Sequence, residues 1–273
     1  MVFGKRRKKV VLGVCLLCFL VVLIHMAHAT TLDRTVEYKE IRFSSQQVTP
    51  ELNGYRVAFI SDIHEMSAED LRRVVDTLNT KNIDLLILGG DYSSVGRVPH
   101  DLLELLSQVK TTDGIFAIEG NHDNRTSLFA AMETYNITPL SNSGVRLRNN
   151  LYLAGTTDYW SGDASIAQAI QAASPGDFVL LVSHNPDLTM VQDTSGVDLI
   201  LSGHTHGGQI TFFGFFAPAL LPKVITDYGH RFTSGWSQSH DGTPVYVSNG
   251  LGEYQQVPRV FARPQVILVT LSL

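Results

Sequence analysis

The run Val57-Ala-Phe-Ile-Ser-Asp-Ile-His64 places a carboxylate and an imidazole directly after a short apolar stretch. Short apolar runs bounded by turn residues predict buried β-strands. Four later runs end in the same way, and the polar groups that follow them are Gly89-Gly90-Asp91, Asn121-His122-Asp123, His184 and His204-Thr205-His206. Because side chains beyond the carboxyl ends of such strands meet at one edge of an α/β sheet, we expect one shared site.

The segments around these runs alternate between two periodicities. Predicted strands cover residues 56–61, 83–88, 115–118, 151–154, 178–183 and 197–201. Predicted helices lie near residues 68–79, 100–109, 126–135 and 163–173, and Ser67 with Asp70 predicts a capping box before the first. The alternation predicts a layered α/β fold with largely parallel pairing. Further strands at residues 245–248 and 266–271 are expected to close a second sheet.

The N-terminus has the pattern of an export segment. Five cations at positions 5–9 precede an apolar run over residues 10–24, and this asymmetry keeps the basic end in the cytoplasm. One interpretation is an uncleaved single-pass anchor of about 20 residues. The other is a signal peptide cleaved near Ala29, after the small-x-small sequence Ala27-His28-Ala29. We therefore expect an anchor or signal segment at 1–29, a leader at 30–54 and a catalytic domain at 55–273.

Both interpretations place the domain outside the cytoplasm, anchored at the cell membrane or secreted.

The composition of the domain excludes some classes of partner and site. Five of the 21 basic residues lie at positions 5–9 and residues 1–29 contain no acid, so the remainder carries 16 basic against 26 acidic residues. A net charge of −10 argues against an extended nucleic-acid partner. Cys15 and Cys18 lie within the apolar run, which excludes a thiolate metal site in the domain.

Oxygen and imidazole ligands without thiolates suit Mn, Fe or Zn. A carboxylate such as Asp91 has two oxygens and can bridge two ions about 3.5–4 Å apart. A single Gly-Asp turn or a single histidine is most often structural. The joint occurrence of these groups, each at a strand end, is what favours a two-metal site.

The ordered motifs Asp62-x-His64, Gly90-Asp91, Gly120-Asn-His-Asp123, His184 and Gly203-His-x-His206 resemble the calcineurin-like metallophosphoesterase superfamily. The resemblance covers residues 55–273 and implies a four-layer α-β-β-α sandwich. Residues 183–187, 203–210 and 249–264 are similar to a bacterial membrane-associated branch, which includes phosphodiesterases like UDP-2,3-diacylglucosamine pyrophosphatase.

The resemblance also implies roles for individual residues. One metal ion would be held by Asp62, His64 and His206, the other by Asn121, His184 and His204, with Asp91 bridging them. His122 would stabilise or protonate the leaving oxygen, and Asp123 would orient it. Glu65 departs from the family, which has an apolar residue there, and this affects the expected shape and charge of the pocket.

The implied activity is dinuclear metal-dependent phosphohydrolysis, in which a metal-bridging hydroxide attacks phosphorus in line. The substrate is expected to be a phosphodiester or a pyrophosphate; a monoester and a lipid-linked substrate stay open, and no protein partner is predicted. The alternative is a non-catalytic metal-binding scaffold of the same fold. A metallopeptidase is disfavoured because the chain has no His-Glu-x-x-His sequence.

The aromatic segment at residues 212–216, Phe-Phe-Gly-Phe-Phe, has two interpretations. The first is a buried strand followed by a loop that packs on the core. The second is an apolar lip beside the metal site, which holds acyl chains or enters the bilayer.

Overall fold

The computed structural model describes residues 2–64, 66–148, 150–221 and 225–273, with side chains from residue 7 onward. Its helices are α1 (Val2–Thr30), α2 (Ala68–Leu78), α3 (His100–Leu106), α4 (Arg125–Thr134) and α5 (Ile166–Ala169). Its strands are β1 (Glu37–Ser44), β2 (Arg56–Ile60), β3 (Leu85–Leu88), β4 (Ile115–Ala117), β5 (Thr138–Pro139), β6 (Ser143–Arg148), β7 (Leu151–Gly155), β8 (Phe178–Val182), β9 (Leu199–Ser202), β10 (Gly235–Gln238), β11 (Pro244–Val247) and β12 (Gln265–Ser272).

The strands form two six-stranded sheets. The first has the order β1-β12-β2-β3-β4-β5 and the second β10-β11-β9-β8-β7-β6. Most neighbouring strands are parallel, and the antiparallel pairs are β12 with β2, β6 with β7 and β10 with β11. The predicted α/β class with largely parallel pairing is confirmed.

The layers follow from which faces of the sheets are apolar. Side chains such as Phe59 and Ile87 of the first sheet meet Leu153 and Leu180 of the second in a central core. Helices α2, α3 and α4 cover the outer face of the first sheet. Helix α2 begins as predicted, because Ser67 accepts a hydrogen bond from the Asp70 backbone N–H at 3.1 Å.

The outer layer of the second sheet is thinner. It consists of α5 and short 3₁₀ turns, whose buried side chains include Ile166 and Phe232. The α-helix predicted at residues 163–173 is limited to four residues, Ile166–Ala169. The helix begins at Ile166 because Ser165 is its N-cap and accepts the Gln168 backbone N–H at 3.2 Å, and it ends before Ile170, whose ψ of 1° lies outside the helical range.

The last strand lies in a different sheet from the one expected. Residues 266–271 were predicted to close the second sheet, but β12 lies in the first, antiparallel to β2. On its other side β12 runs parallel to β1, which comes from within the predicted leader at residues 30–54. An apolar strand pattern fixes burial but does not specify which sheet receives the strand.

Helix α1 leaves the domain with its side chains mostly exposed. Among the described residues it is the one helix long and apolar enough to span a bilayer. Its C-terminal end is fastened to the domain, because His28 Nδ1 lies 2.7 Å from Asp33 Oδ2. The Asp33 carboxylate in turn accepts backbone N–H bonds from Phe261 at 2.8 Å and Ala262 at 3.2 Å.

The aromatic segment at residues 212–216 is not a buried strand. Phe212, Phe215 and Phe216 are exposed, and Phe215 retains 89% of its accessible surface. The segment forms a tight loop closed by a hydrogen bond from Phe212 N–H to the Phe216 carbonyl at 2.7 Å. The first interpretation is therefore wrong, because too few neighbouring side chains cover these rings.

Candidate metal centre

The polar groups predicted from the strand ends lie together. Asp62 and His64 follow β2, Asp91 follows β3, and residues 121–123 come a few residues after β4. His184 follows β8, and His204 and His206 follow β9, so the two sheets supply the site jointly. The carboxyl ends of the parallel strands meet at this edge, as the topology requires.

Two groups of donor atoms are close enough to hold metal ions. The first is Asp62, His64 and His206, and the second is Asp62, Asp91 and His184; within each, the ligand atoms lie within 4.8 Å of one another. In the first group, His64 Nε2 and His206 Nε2 are 3.1 Å apart. In the second, His184 Nε2 is 3.4 Å from Asp91 Oδ2. All of these side chains are buried.

Asn121 and His204 complete the cluster of seven predicted ligands. Asn121 Oδ1 lies 2.8 Å from His204 Nδ1, and the His204 ring centroid is 5.2 Å from that of His184. The other ring nitrogen of His204 lies 2.7 Å from the Ile225 carbonyl oxygen. His204 therefore faces the cluster through Nδ1.

The surrounding hydrogen bonds orient the histidines toward the cluster. His184 Nδ1 donates to the Gly89 carbonyl at 2.7 Å, and His64 Nδ1 lies 3.0 Å from Ser94 Oγ. Such partners on the second ring nitrogen are typical of metal-ligating histidines. Among the residues that the structure describes, the buried His184 Nε2 has no hydrogen-bond partner. A buried nitrogen beside a carboxylate oxygen fits a site built for a cation.

The backbone at the site is held in an unusual conformation. Asp62, His64, Asp91, His204 and His206 all have φ between 42° and 71°. Left-handed backbone costs a non-glycine residue about 1–2 kcal/mol and clusters at functional sites. Close packing holds it there: a Cβ on Gly120 would lie 2.2 Å from Asp91 Oδ1, and one on Gly203 would lie 2.3 Å from Asp62 Oδ2.

Burial and mutual charge shift the acidity of these groups. Burial raises the pKa of Asp62. Burial alone would also raise the pKa of Asp91, but the charges of His184 and His64 lower it well below its usual range. Burial and the charge of His184 lower the pKa of His204 to about 3. A neutral imidazole is the form that ligates a metal.

His122 and Asp123 lie at the same edge but contact different groups. The His122 ring is half-buried, with its centroid 5.6 Å from that of His64 and 5.0 Å from that of Tyr254. The Asp123 carboxylate accepts backbone N–H bonds from Asp91 at 2.8 Å, Tyr92 at 3.1 Å and Gly120 at 2.9 Å. Burial and the charge of Asp91 raise the pKa of Asp123 to about 8.

These bonds differ from the expectation that Asp123 orients the His122 ring. The carboxylate instead ties together the loops that follow β3 and β4. The His122 backbone N–H also links the two loops, because it donates a hydrogen bond to Asp91 Oδ1 at 2.9 Å. The sequence motif places Asp123 next to His122 but does not show which neighbour its carboxylate contacts.

Sequence reasoning missed several residues near the site, among them Trp160, Arg125 and Arg259. The Trp160 ring centroid lies 4.8 Å from that of His204, and Arg125 donates to Glu119 at 2.7 Å; both line a cleft of about 370 Å³ that Asn121 also lines. Arg259 is buried and donates to the His206 carbonyl at 3.2 Å. No local motif marks Trp160 or Arg259, because the fold brings them from distant segments, whereas Arg125 follows Asp123 by two residues and that closeness in sequence was the available signal. Glu65 lies outside the described residues.

The chain resembles known phosphoesterases. A family model of the calcineurin-like phosphoesterase domain matches residues 55–208. An uncharacterized metallophosphoesterase of Helicobacter pylori is 30% identical, covering 78% of this chain and 58% of the relative. The Bacillus subtilis metallophosphoesterase YkuE is 28% identical over 87% of this chain and 86% of its own length.

A third relative has a name that mentions a membrane. A transmembrane protein with metallophosphoesterase domain from Danio rerio is 27% identical over 85% of this chain and 56% of its own length. The chain thus spans little more than half the length of this relative and of the Helicobacter one.

Proposed function

The chain belongs to the calcineurin-like phosphoesterase family and is a metallophosphoesterase, a hydrolase of phosphoric esters, and from this premise we propose that it is a dinuclear phosphohydrolase acting on a phosphodiester or a pyrophosphate. The observation that carries the proposal is the pair of buried donor groups, which share Asp62 and bring Asp91 and three histidines together. A scaffold without turnover is free to lose metal ligands, whereas all seven that the resemblance implies are present in this chain.

The donor set fits two divalent ions of the Mn, Fe or Zn type. One ion would be held by Asp62, His64 and His206, and the other by Asn121, His184 and His204. Asp91 is the proposed bridge, because its Oδ2 lies 3.6 Å from His64 Nε2 and 3.4 Å from His184 Nε2. When bound, two such ions neutralise phosphate oxygens and make water a nucleophile near neutral pH.

The chain's own groups bind the substrate and manage the proton. The half-buried His122 is the proposed donor to the leaving oxygen, since histidine is the side chain that most often serves as a general acid. Asp123 is a proposed positioning residue, because its carboxylate fixes the backbone of Asp91 and Gly120. The cleft lined by Arg125 and Trp160 is the proposed place for part of the substrate outside the metal centre.

We predict metal-dependent turnover by the full chain purified in detergent. Dialysis against a chelator should reduce hydrolysis to background, and Mn²⁺ should restore it, because the buried donor groups cannot polarise phosphate by themselves. The assay compares a chromogenic phosphodiester, a phosphomonoester and a pyrophosphate. Turnover that survives chelation would contradict the proposal. Bound metal without turnover on any of the three would favour the scaffold.

We further propose that α1 anchors the domain at the cell membrane, outside the cytoplasm. The five cations that precede the apolar run and the exposed side chains of α1 support this. The Danio rerio relative is itself named a transmembrane protein. Cleavage near Ala29 is the alternative. It would leave the His28–Asp33 contact without its histidine.

The proposed substrate is a lipid-linked phosphoester. A groove of about 940 Å³ begins at Ala29, near the end of α1, and reaches Gly252, whose backbone N–H donates to the Asp62 carbonyl at 2.7 Å. Apolar side chains line part of the groove, among them Val36, Tyr38, Met66, Val74 and Leu251. An acyl chain in this groove would bring its phosphate toward the metal centre.

The lipid proposal predicts a chain-length preference. Below their micellar concentrations, octyl p-nitrophenyl phosphate should be hydrolysed with a kcat/KM at least about tenfold above that of the methyl ester, since each buried methylene contributes up to about 0.8 kcal/mol. The full chain is assayed in lipid nanodiscs. Val36→Gln should reduce the preference, whereas Val145→Gln, at a half-buried valine of β6, should not. Equal kcat/KM values for the two esters would contradict the proposal.

A further inference from the structure

Residues 212–216, here called the aromatic loop, carry four phenylalanines and no charge, and all of them except the half-buried Phe213 are exposed. Phe212, Phe215 and Phe216 are exposed by 53%, 89% and 42%. The loop is ordered by its own hydrogen bonds: Phe215 N–H donates to the Phe212 carbonyl at 3.1 Å, and Gly214 N–H to Thr211 Oγ1 at 2.9 Å. Aromatic side chains presented in this way are typical of a surface that meets an apolar partner.

The contacts of the loop with α1 identify that partner. The His25 ring centroid lies 5.2 Å from that of Phe212 and 4.5 Å from that of Phe213. His25 precedes the end of α1, at Thr30, by five residues, which corresponds to about 7.5 Å along a helix. The aromatic loop therefore lies alongside the last turns of α1 and not beyond its end.

The helix cannot move away from the loop without breaking other contacts. Phe261 stacks on His28 at 3.8 Å and contacts His25 at 5.0 Å between ring centroids. Asp33, just after the helix, bonds to His28 and to the backbone of residues 261 and 262. The loop and the end of α1 thus form one rigid unit, and a bilayer crossed by α1 would reach the depth of the loop.

We propose that the aromatic loop inserts into the outer leaflet beside α1 and forms a second contact between the domain and the bilayer. This proposal rests on the anchoring by α1 proposed above. The free energy falls when Phe and other apolar side chains move from water to the boundary of the acyl chains. Because the loop begins six residues after His206, its insertion would hold the metal centre next to the lipid headgroups.

The test measures the depth of single labelled side chains in the full chain. On a Cys15→Ala, Cys18→Ala background, Phe215→Cys is labelled with a nitroxide and reconstituted into phosphatidylethanolamine–phosphatidylglycerol vesicles. Electron paramagnetic resonance then compares collisions with oxygen, which concentrates in the bilayer, and with a water-soluble nickel complex. We expect a severalfold higher oxygen-to-nickel ratio for Phe215→Cys than for Ser195→Cys, an exposed position before β9, at the end of that strand away from the metal centre.

A third label separates failure of this proposal from failure of the anchor. Leu20→Cys lies within the apolar run of α1 and reports whether α1 enters the vesicle. If Leu20 is in the bilayer while Phe215 matches Ser195, the aromatic loop does not insert and the proposal is overturned. If Leu20 and Phe215 both match Ser195, the anchor proposal is overturned as well.

Discussion

We expect the Asp91→Asn variant to lose at least about a thousandfold in kcat. Asp91 faces both donor groups, and its Oδ2 lies within 3.6 Å of His64 Nε2 and His184 Nε2. Asn has nearly the same shape as Asp but no charge. An amide nitrogen, which cannot ligate a cation, replaces one of the two carboxylate oxygens. The measurement is kcat at saturating Mn²⁺, together with the metal content per chain.

A control variant distinguishes the loss of the Asp91 charge from a general effect of an Asp→Asn substitution on the fold. Asp76→Asn makes the same change at an exposed position of α2 and should leave kcat and thermal stability unchanged. In the Asp91→Asn variant the amide oxygen can still accept the backbone N–H of His122, so the fold should persist. An Asp91→Asn variant with wild-type turnover would show that Asp91 does not bridge metal ions.

The second large effect is expected for His122→Ala and depends on the leaving group. A general acid contributes about 10²- to 10⁴-fold when the leaving oxygen needs a proton. For an alkyl leaving group we therefore expect a loss of kcat in that range. For p-nitrophenolate, which leaves without a proton, the loss should be much smaller. The measurement is a series of diesters that differ only in leaving-group acidity.

A purely structural role for His122 would lower all of these rates by the same factor, and that result would contradict the assignment. His100→Ala, at an exposed histidine of α3, is the matched control and should leave the series unchanged. Metal content should stay normal in both variants, because His122 lies outside the two donor groups.

Much of the fold could be predicted because strand and helix periodicities differ and the strands are buried. The cores of β2, β3, β8 and β9 match their apolar runs to within two residues. The sheet that receives β12 could not be predicted, because its pairing with β1 joins residues 228 positions apart. The predicted length of α5 was also wrong, because the apolar periodicity does not show that the backbone leaves helical geometry at Ile170.

The candidate site also has a part that the sequence predicts and a part that it does not. Strand ends placed the candidate polar groups at one edge, because topology alone carries those side chains there, and the family resemblance implied which seven of them are ligands. The contacts of Asp123 and Arg259 depend on loops that approach one another only in the folded chain. The sequence also could not decide whether the aromatic loop is buried or exposed, since its composition suits either a protein core or a membrane surface.

The place of β12 in the first sheet has a consequence for the timing of folding. Between β1 and β2 there is no direct pairing; β12 joins them, and it extends to Ser272. The first sheet therefore stays incomplete until β12 is available, and contacts between such distant segments form slowly. Under the proposed export of the domain, this delay would keep the first sheet, and with it the metal centre, from forming until β12 has crossed the membrane.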